Sequence, residues 1–397
     1  MSAASAKRKA LIILPEAAYP VAGGGPLRTA CILKFLAAHF ELDAIHFRLS
    51  GDPDPFAQYP DGMIARRAII DLPLHSKAFL PRLLRNLLRG LRGVPPLVDR
   101  FSGQNKPIAD FLQGHQYDLA WCEHFWTAPY APLLRPHAKK LLLDLHNIES
   151  EYFRLASQVA KPSESWLWRR FHQVALRAER KLIPQFDIAL TASQADASRI
   201  QHAQPKQTAV IPNTIPPQSP PPVQPAHSIA FSGNFAYTPN FEGMRWFVKS
   251  VWPRLFLTHP ALSLRVIGKE AELVRPLFTS LERVDIVGPV ANAVEEIAKS
   301  QIAVAPLLVG SGTRLKILEA WAAGAAVVST SLGAEGLDAQ PGVHLEIADT
   351  PRNFALHIDE LLQNETKRRK IIDAARNLLE ARFTWRRAHN LLADLEL

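Results

Sequence analysis

Apolar runs of strand length alternate with segments of helical period along most of this chain, and that alternation restricts the fold more than any other feature. ALIIL is followed by PLRTACILKFLAAHF and ELDAIHF, and further on stand LAWCE, KLLLDLHN and DIALTAS. Strands that are apolar throughout need cover on both faces, and helices between them supply it, so the pattern predicts βαβ units around a parallel sheet. The rhythm stops from Ile215 to Ala226, where IPPQSPPPVQPA carries too many prolines to continue a helix or a central strand. It restarts with SIAFSGN, a helix from about Asn240 to Phe256, SLRVIG, VDIVGP, a helix through EEIAKS, IAVAPL, a helix from Thr313 and AAVVST. Near the end, Asp349 or Thr350 can cap a helix that has Pro351 at its first position.

The expectation is therefore an α/β protein of two doubly wound, Rossmann-like domains. The first covers 1–214, a proline-rich linker covers 215–227, and the second covers 228–380. A helical segment at 381–397 is free to cross back to the N-terminal domain. Two such sheets facing each other leave a cleft between the carboxyl ends of their strands, where α/β proteins bind ligands. A length of 397 residues with 47% apolar content suits two cores better than one.

Cys31 and Cys122 are the only cysteines and show neither disulfide nor zinc spacing, which fits a reducing cytoplasm. The apolar run in KRKALIILP is too short for a signal-peptide core or a membrane span. A net charge of +9 favours an anionic partner. That charge is dispersed and no nucleic-acid-reading motif appears, so nucleic acid is not expected. No GxGxxG with an acidic residue downstream marks a dinucleotide dehydrogenase.

The most informative segment is VAPLLVGSGTRLKILEAWAAGAAVVSTSLGAEGL, Val304 to Leu337. A buried strand ends at Pro306, a loop with Gly310, Ser311, Gly312 and Thr313 follows, and a helix opens. Glycines let the backbone approach a ligand closely, and the free N–H groups and dipole of a helix N-terminus attract phosphate. At about 100° per residue, Gly312, Lys316, Glu319 and Ala323 share one helix face, behind the anion site. A diphosphate at Lys316 and ribose hydroxyls on Glu319 would suit that row; a surface Lys–Glu pair is the plainer alternative.

This segment resembles the donor site of family 4 (group 1) glycosyltransferases, in particular the subgroup with GTRLKILEA followed by AxGxxVVST and GAEGL. FSGNFAYTPNFEGMRWF, LRVIGKE, VDIVGPV and VIPNT extend the resemblance over the whole chain. It implies a GT-B fold, retaining transfer from a nucleoside-diphosphate sugar, and no cofactor beyond that donor. The family places two glutamates eight positions apart, the second on the ribose. Glu319 matches the second; the first position is Ser311. Relatives also carry an arginine and a lysine where this chain has Asn234 and Pro239, so Arg314 and Lys316 are expected to supply the missing charge. Gly233 and Asn234 are counted with the donor site.

In the N-terminal half, Gly23, Gly24 and Gly25 open a helix, with Pro26 near its first position, and the resemblance places this loop at the donor phosphates. His146 ends the strand in LLLDLHNIES and resembles a histidine set near the sugar. With Lys316 and Glu319 it is the expected catalytic group; a satisfied structural histidine is the alternative. Ser193 and Asn213 read as turn residues. Asp52-Pro53-Asp54 mimics a metal-binding acidic motif, but in GDPDPFAQYPDG it reads as a turn, and no metal ion is expected.

Residues 77–92 form a basic amphipathic helix, with Leu80, Leu83, Leu84, Leu87, Leu88 and Leu91 opposite Arg82, Arg85, Arg89 and Arg92. It suits either an anionic membrane surface, with a lipid-linked acceptor, or a domain helix with its leucines on the core and its arginines in water. The expected activity is sugar transfer to a glycan, lipid-linked or polysaccharide-precursor hydroxyl in the cytoplasm, at or near the inner face of the membrane. A non-catalytic binding subunit and a nucleotide-sugar epimerase are the alternatives.

Overall fold

The computed structural model describes residues 7–21, 24–76, 78–160, 162–280, 282–309 and 314–397. The chain divides into two compact units, one running to Pro212 and taking in His389–Leu397, the other Asn213–Ala388.

The first unit is built on a seven-stranded sheet of β1 (Lys9–Leu14), β2 (Glu41–Leu49), β3 (Arg66–Leu72), β4 (Tyr117–Glu123), β5 (Ala138–Leu145), β6 (Ile188–Thr191) and β7 (Thr208–Val210). Its order is β3-β2-β1-β4-β5-β6-β7, and every pair is parallel. Leu11, Ile12, Ile13 and Leu14 of β1 are fully buried, because both faces of a parallel sheet are covered. Each such side chain contributes about 1.5–3 kcal/mol of transfer free energy. The chain's last residues belong to this unit: His389 Nε2 lies 3.0 Å from the Cys31 carbonyl oxygen, and Lys140 Nζ donates to Glu396 O at 2.9 Å.

The second unit repeats the plan with β8 (Ala226–Ser232), β9 (Ser263–Ile267), β10 (Val284–Val287), β11 (Ser300–Ala305), β12 (Ala326–Ser329) and β13 (Glu346–Ile347). They lie in the order β10-β9-β8-β11-β12-β13, again all parallel. Ile215, the first residue of the proline-rich stretch, is already tied into this unit: its N–H donates to Phe383 O at 3.0 Å and its carbonyl accepts from Trp385 N. In both sheets the strand order reverses once, between β1 and β4 and between β8 and β11. Those reversals open crevices at the carboxyl ends of the strands.

Two local expectations change. The helix expected from about Asn240 to Phe256 is divided: Thr238–Trp246 is α-helical, Phe247–Val251 widens into a π turn, and Trp252–Thr258 resumes the α form. Pro253 explains the break, since it has no N–H and its ring crowds the carbonyl four residues back. The second concerns the Phe79–Arg92 helix, whose leucines do not pack on the core: Leu80, Leu84, Leu88 and Leu91 are 73%, 60%, 49% and 79% exposed. The side against the domain is its Arg89–Gly90 edge. Arg89 Nε donates to Asp99 Oδ2 at 2.7 Å, and Arg170, on the Pro162–Leu182 helix, donates to Gly90 O at 2.9 Å. The leucines-in half of the domain-helix alternative is thus overturned, while Arg82 and Arg92 are exposed as it expects and Arg89 is buried.

Candidate functional site

In the second unit the crevice between β8 and β11 holds the residues singled out on the Leu315–Ala323 helix. Leu315, Ile317, Leu318 and Ala320–Ala323 are all buried, so Lys316 and Glu319 are the two positions of the helix that keep some exposure. A helix apolar nearly all round belongs in a core. Two ionisable groups three residues apart on its one open face have no packing reason to be there. The helix stops at Gly324, which takes the left-handed conformation with φ 75° and donates to Ala320 O and Trp321 O.

Lys316 is bound to the strand end facing it. Nζ donates to Ser232 O, at the close of β8, at 3.1 Å and to Asn240 Oδ1 at 2.6 Å, and it sits 4.6 Å from the Phe231 ring centroid. Asn240 in turn donates through Nδ2 to Asn234 O at 2.8 Å. Glycine is required at 233 because a Cβ there would stand 2.7 Å from Asn240 Nδ2. Burial pulls the Lys316 amine down to about 7, against the opposing field of Glu319 and with a further push down from Arg314. Burial raises the Glu319 carboxyl to about 7, with Lys316 resisting. No ion pair joins the two, and no hydrogen bond reaches the Glu319 carboxylate among the described residues. Both groups are poised to change protonation when a charged ligand arrives.

Arg314 is buried and caps the helix start, and its Nε donates to Leu332 O at 3.3 Å. Its guanidinium thus holds the loop after β12, where Thr330 Oγ1 donates to Leu307 O at 2.6 Å. Gly310, Ser311, Gly312 and Thr313, expected to cradle the diphosphate, lie outside the described residues, as does Gly23. Gly24 and Gly25 are the first residues of the Gly24–His39 helix in the first unit, and Asn234 is exposed.

His146 follows β5 in the first unit and belongs to a buried charge cluster. Its Nε2 lies 2.5 Å from Glu123 Oε2, at the end of β4, and 3.5 Å from Asp144 Oδ2. Arg28, on the Gly24–His39 helix, donates to Asp144 through Nε at 2.8 and 3.1 Å and through Nη2 at 2.5 Å, and through Nη1 to Ile211 O at 2.6 Å. His124 lies against His146 with centroids 3.6 Å apart and planes tilted by 35°, and stacks on Trp126 at 4.3 Å; Trp126 Nε1 donates to Glu149 at 2.8 Å. Burial works to lower the His146 imidazole, but Glu123 and Asp144 overcome it and raise it to about 9. Burial and the neighbouring His146 hold His124 well below its ordinary value, and burial raises Glu149 to about 7.

Sequence reasoning singled out His146 but not the Glu123, His124, Asp144 and Arg28 that surround it. The available signal was three ionisable residues, Glu123, His124 and Asp144, at or beside the carboxyl ends of adjacent apolar strands. Among the expected turns, Ser193 caps a helix by accepting from Asp196 N, and Asp54 Oδ1 accepts from Phe56 N at 2.8 Å. Both cysteines are buried and neither forms a disulfide.

Residues 226–364 match the family model described as Glycosyl transferases group 1. The chain is 24% identical over 398 residues to an uncharacterized 44.6 kDa protein in the cps region of Klebsiella pneumoniae, spanning 94% of this chain and 96% of that protein. Sucrose-phosphate synthase from Thermosynechococcus elongatus superimposes with a TM-score of 0.73 at 16% identity, over 98% of each chain. Anabaena HepE, in complex with UDP and glucose, does so with a TM-score of 0.67 at 16% identity, over 98% of this chain and 99% of that one. The fold is the GT-B arrangement of these structures, two parallel Rossmann-like sheets in one chain, and the family match falls on the second unit.

Proposed function

We propose that the chain moves a sugar from a nucleoside-diphosphate sugar to an acceptor hydroxyl, with retention of anomeric configuration and without a metal ion. The observation that carries this reading is the pair of half-buried ionisable residues, Lys316 and Glu319, on the single open face of a helix within the residues matching the group 1 family. Such transfer needs a departing diphosphate stabilised and an acceptor positioned, rather than a covalent protein nucleophile. Lys316, already directed at the end of β8, supplies the charge for the diphosphate. Arg314 adds to the local field, and the Gly310–Thr313 stretch, by its sequence, supplies backbone donors. Glu319 accepts from the ribose hydroxyls, as the family resemblance implies. His146 stands near the sugar on the same basis.

The acceptor in this reading is a glycan, a lipid-linked sugar or a polysaccharide precursor, met at an anionic membrane surface. The outward leucines of the Phe79–Arg92 helix support that location, because an exposed apolar stripe flanked by arginines gains from inserting at a lipid interface. No helix among the described residues is long and apolar enough to cross a membrane.

The test is transfer itself. Nucleotide sugars are incubated with membrane extracts as acceptor source and excess chelator, and the product's anomeric configuration is read by NMR. Retained configuration with undiminished rate in chelator supports the reading. Lys316→Ala is expected to raise the donor KM and lower kcat; unchanged kinetics would remove Lys316 from the site. Conversion of the donor without an acceptor would indicate an epimerase instead.

A further inference from the structure

The cluster at the β1/β4 crevice of the first unit carries an inference about the form in which His146 works. Glu123 is fully buried, one of its oxygens is 2.5 Å from His146 Nε2, and the other has no hydrogen-bond partner among the described residues. The remaining charges facing this ring come from three elements. Asp144 lies on β5, Arg28 on the Gly24–His39 helix, and His124 directly after β4; the Tyr59 phenol adds a neutral group near Glu123. Arg28 neutralises Asp144 through a buried, forked pair. Glu123 is then a second buried carboxyl: burial pushes it up and Asp144 adds to that push, while the His146 charge, with a smaller field from Arg28, opposes both and holds the carboxylate form against a desolvation cost of several kcal/mol. Among the described residues, His146 is the group within hydrogen-bonding distance of it that can supply a proton-borne charge.

A metal ion does not suit this gap. Glu123, His124 and His146 do offer ligand atoms within 4.8 Å of one another. Ligands held at about 2.0–2.1 Å on a tetrahedral zinc lie roughly 3.3 Å apart, well beyond the 2.5 Å between Glu123 and His146. That separation is a hydrogen bond with a proton in it. A second cation on the stacked ring of His124 would face His146 at 3.6 Å, so only one of the two imidazoles carries charge.

We propose that Glu123 is a positioning residue that holds His146 as a fixed imidazolium, so that the site presents a cation there and not a general base. The proposal rests on the transferase reading for what His146 touches; the protonation state of the pair does not depend on it. Asp144 and Arg28 keep the ring in place from the other side. His124 stays neutral and forms one stacked wall, with Trp126 behind it.

The experiment uses the full chain labelled with 13C,15N-histidine, with the His146 signals assigned by their loss in His146→Gln. The wild-type ring is expected to keep imidazolium shifts through neutral pH and to titrate near 9. In Glu123→Gln the midpoint is expected to fall by about two units or more, toward the ordinary imidazole value of about 6.5. Glu123→Asp, which keeps the charge, should restore most of the shift and covers the case in which the glutamine variant does not fold. In the transfer assay the wild-type kcat should show no titration between about pH 6 and 8 from this group. Glu123→Gln should acquire one whose midpoint matches the NMR value, with kcat lowered and donor KM little changed. A neutral His146 in the wild type at pH 7 would overturn the proposal. So would an unmoved midpoint in Glu123→Gln, a kcat profile indifferent to a midpoint that has moved, or stoichiometric zinc retained with loss of the His146 titration. Failure of the wild type to transfer any sugar would refute the functional reading, and the histidine titration would still decide the state of the pair.

Discussion

Binding of a nucleotide sugar should exchange protons with solvent, and the direction of exchange should reverse near neutral pH. In the free protein Lys316 is pulled down to about 7 and Glu319 pushed up to about 7. A diphosphate beside Lys316 favours the ammonium, and ribose hydroxyls donating to Glu319 favour the carboxylate. Each group then returns toward its ordinary value, about 10.4 for the amine and 4.3 for the carboxyl. At pH 8, a free Lys316 is only about one-tenth protonated and takes up about 0.9 proton on binding, while Glu319 releases about 0.1, for a net uptake of about 0.8. At pH 6 the arithmetic inverts: Lys316 takes up about 0.1, Glu319 releases about 0.9, and about 0.8 proton leaves. A nucleoside-diphosphate sugar has no group of its own titrating in this range. Calorimetry in buffers of different ionisation enthalpy measures the exchange directly. Lys316→Met should abolish the uptake at pH 8 and leave the release at pH 6; Glu319→Gln should do the reverse. Binding without buffer dependence at either pH would refute the claim that these two groups hold the ligand.

Two further perturbations separate architecture from surface. Arg28→Met strands Asp144 in a buried site and should cost about 3–5 kcal/mol, seen as a lower denaturant midpoint with unchanged slope; a loss under 1 kcal/mol would mean Asp144 takes up a proton at little cost. Replacing Leu84 and Leu88 together by glutamate should leave the thermal midpoint within experimental scatter, because both are already exposed, yet weaken binding to vesicles rich in anionic lipid by at least tenfold. Equal vesicle binding by the variant would remove the leucine face from any membrane role.

Much of the architecture was legible because doubly covered strands leave an unambiguous mark. KALIIL and IALT are apolar without alternation, and only a parallel sheet needs that. The Lys316–Glu319 face followed from helical geometry alone. What Lys316 touches did not, since Ser232 and Asn240 lie 84 and 76 residues earlier in the chain. The same holds for Arg28 and Asp144, which meet across 116 residues, and for Glu123, whose meaning depends on the histidine of the neighbouring strand. The leucine-rich helix shows a different limit. An amphipathic pattern reads identically whether the apolar face points in or out; the deciding contacts are the Arg89–Asp99 pair and the approach of Arg170 to Gly90, neither of which leaves a periodic signal.

Thermal stabilisation by nucleotide sugars in the presence of chelator, measured for the wild type beside Glu319→Ala, tests the donor site most directly. One nucleotide base should raise the midpoint, by an amount equivalent to about 2.7 kcal/mol at a hundred times its Kd, and the variant should lose that rise. No rise with any nucleotide sugar, or an equal rise in the variant, would contradict the assignment of the second unit's crevice as the donor site.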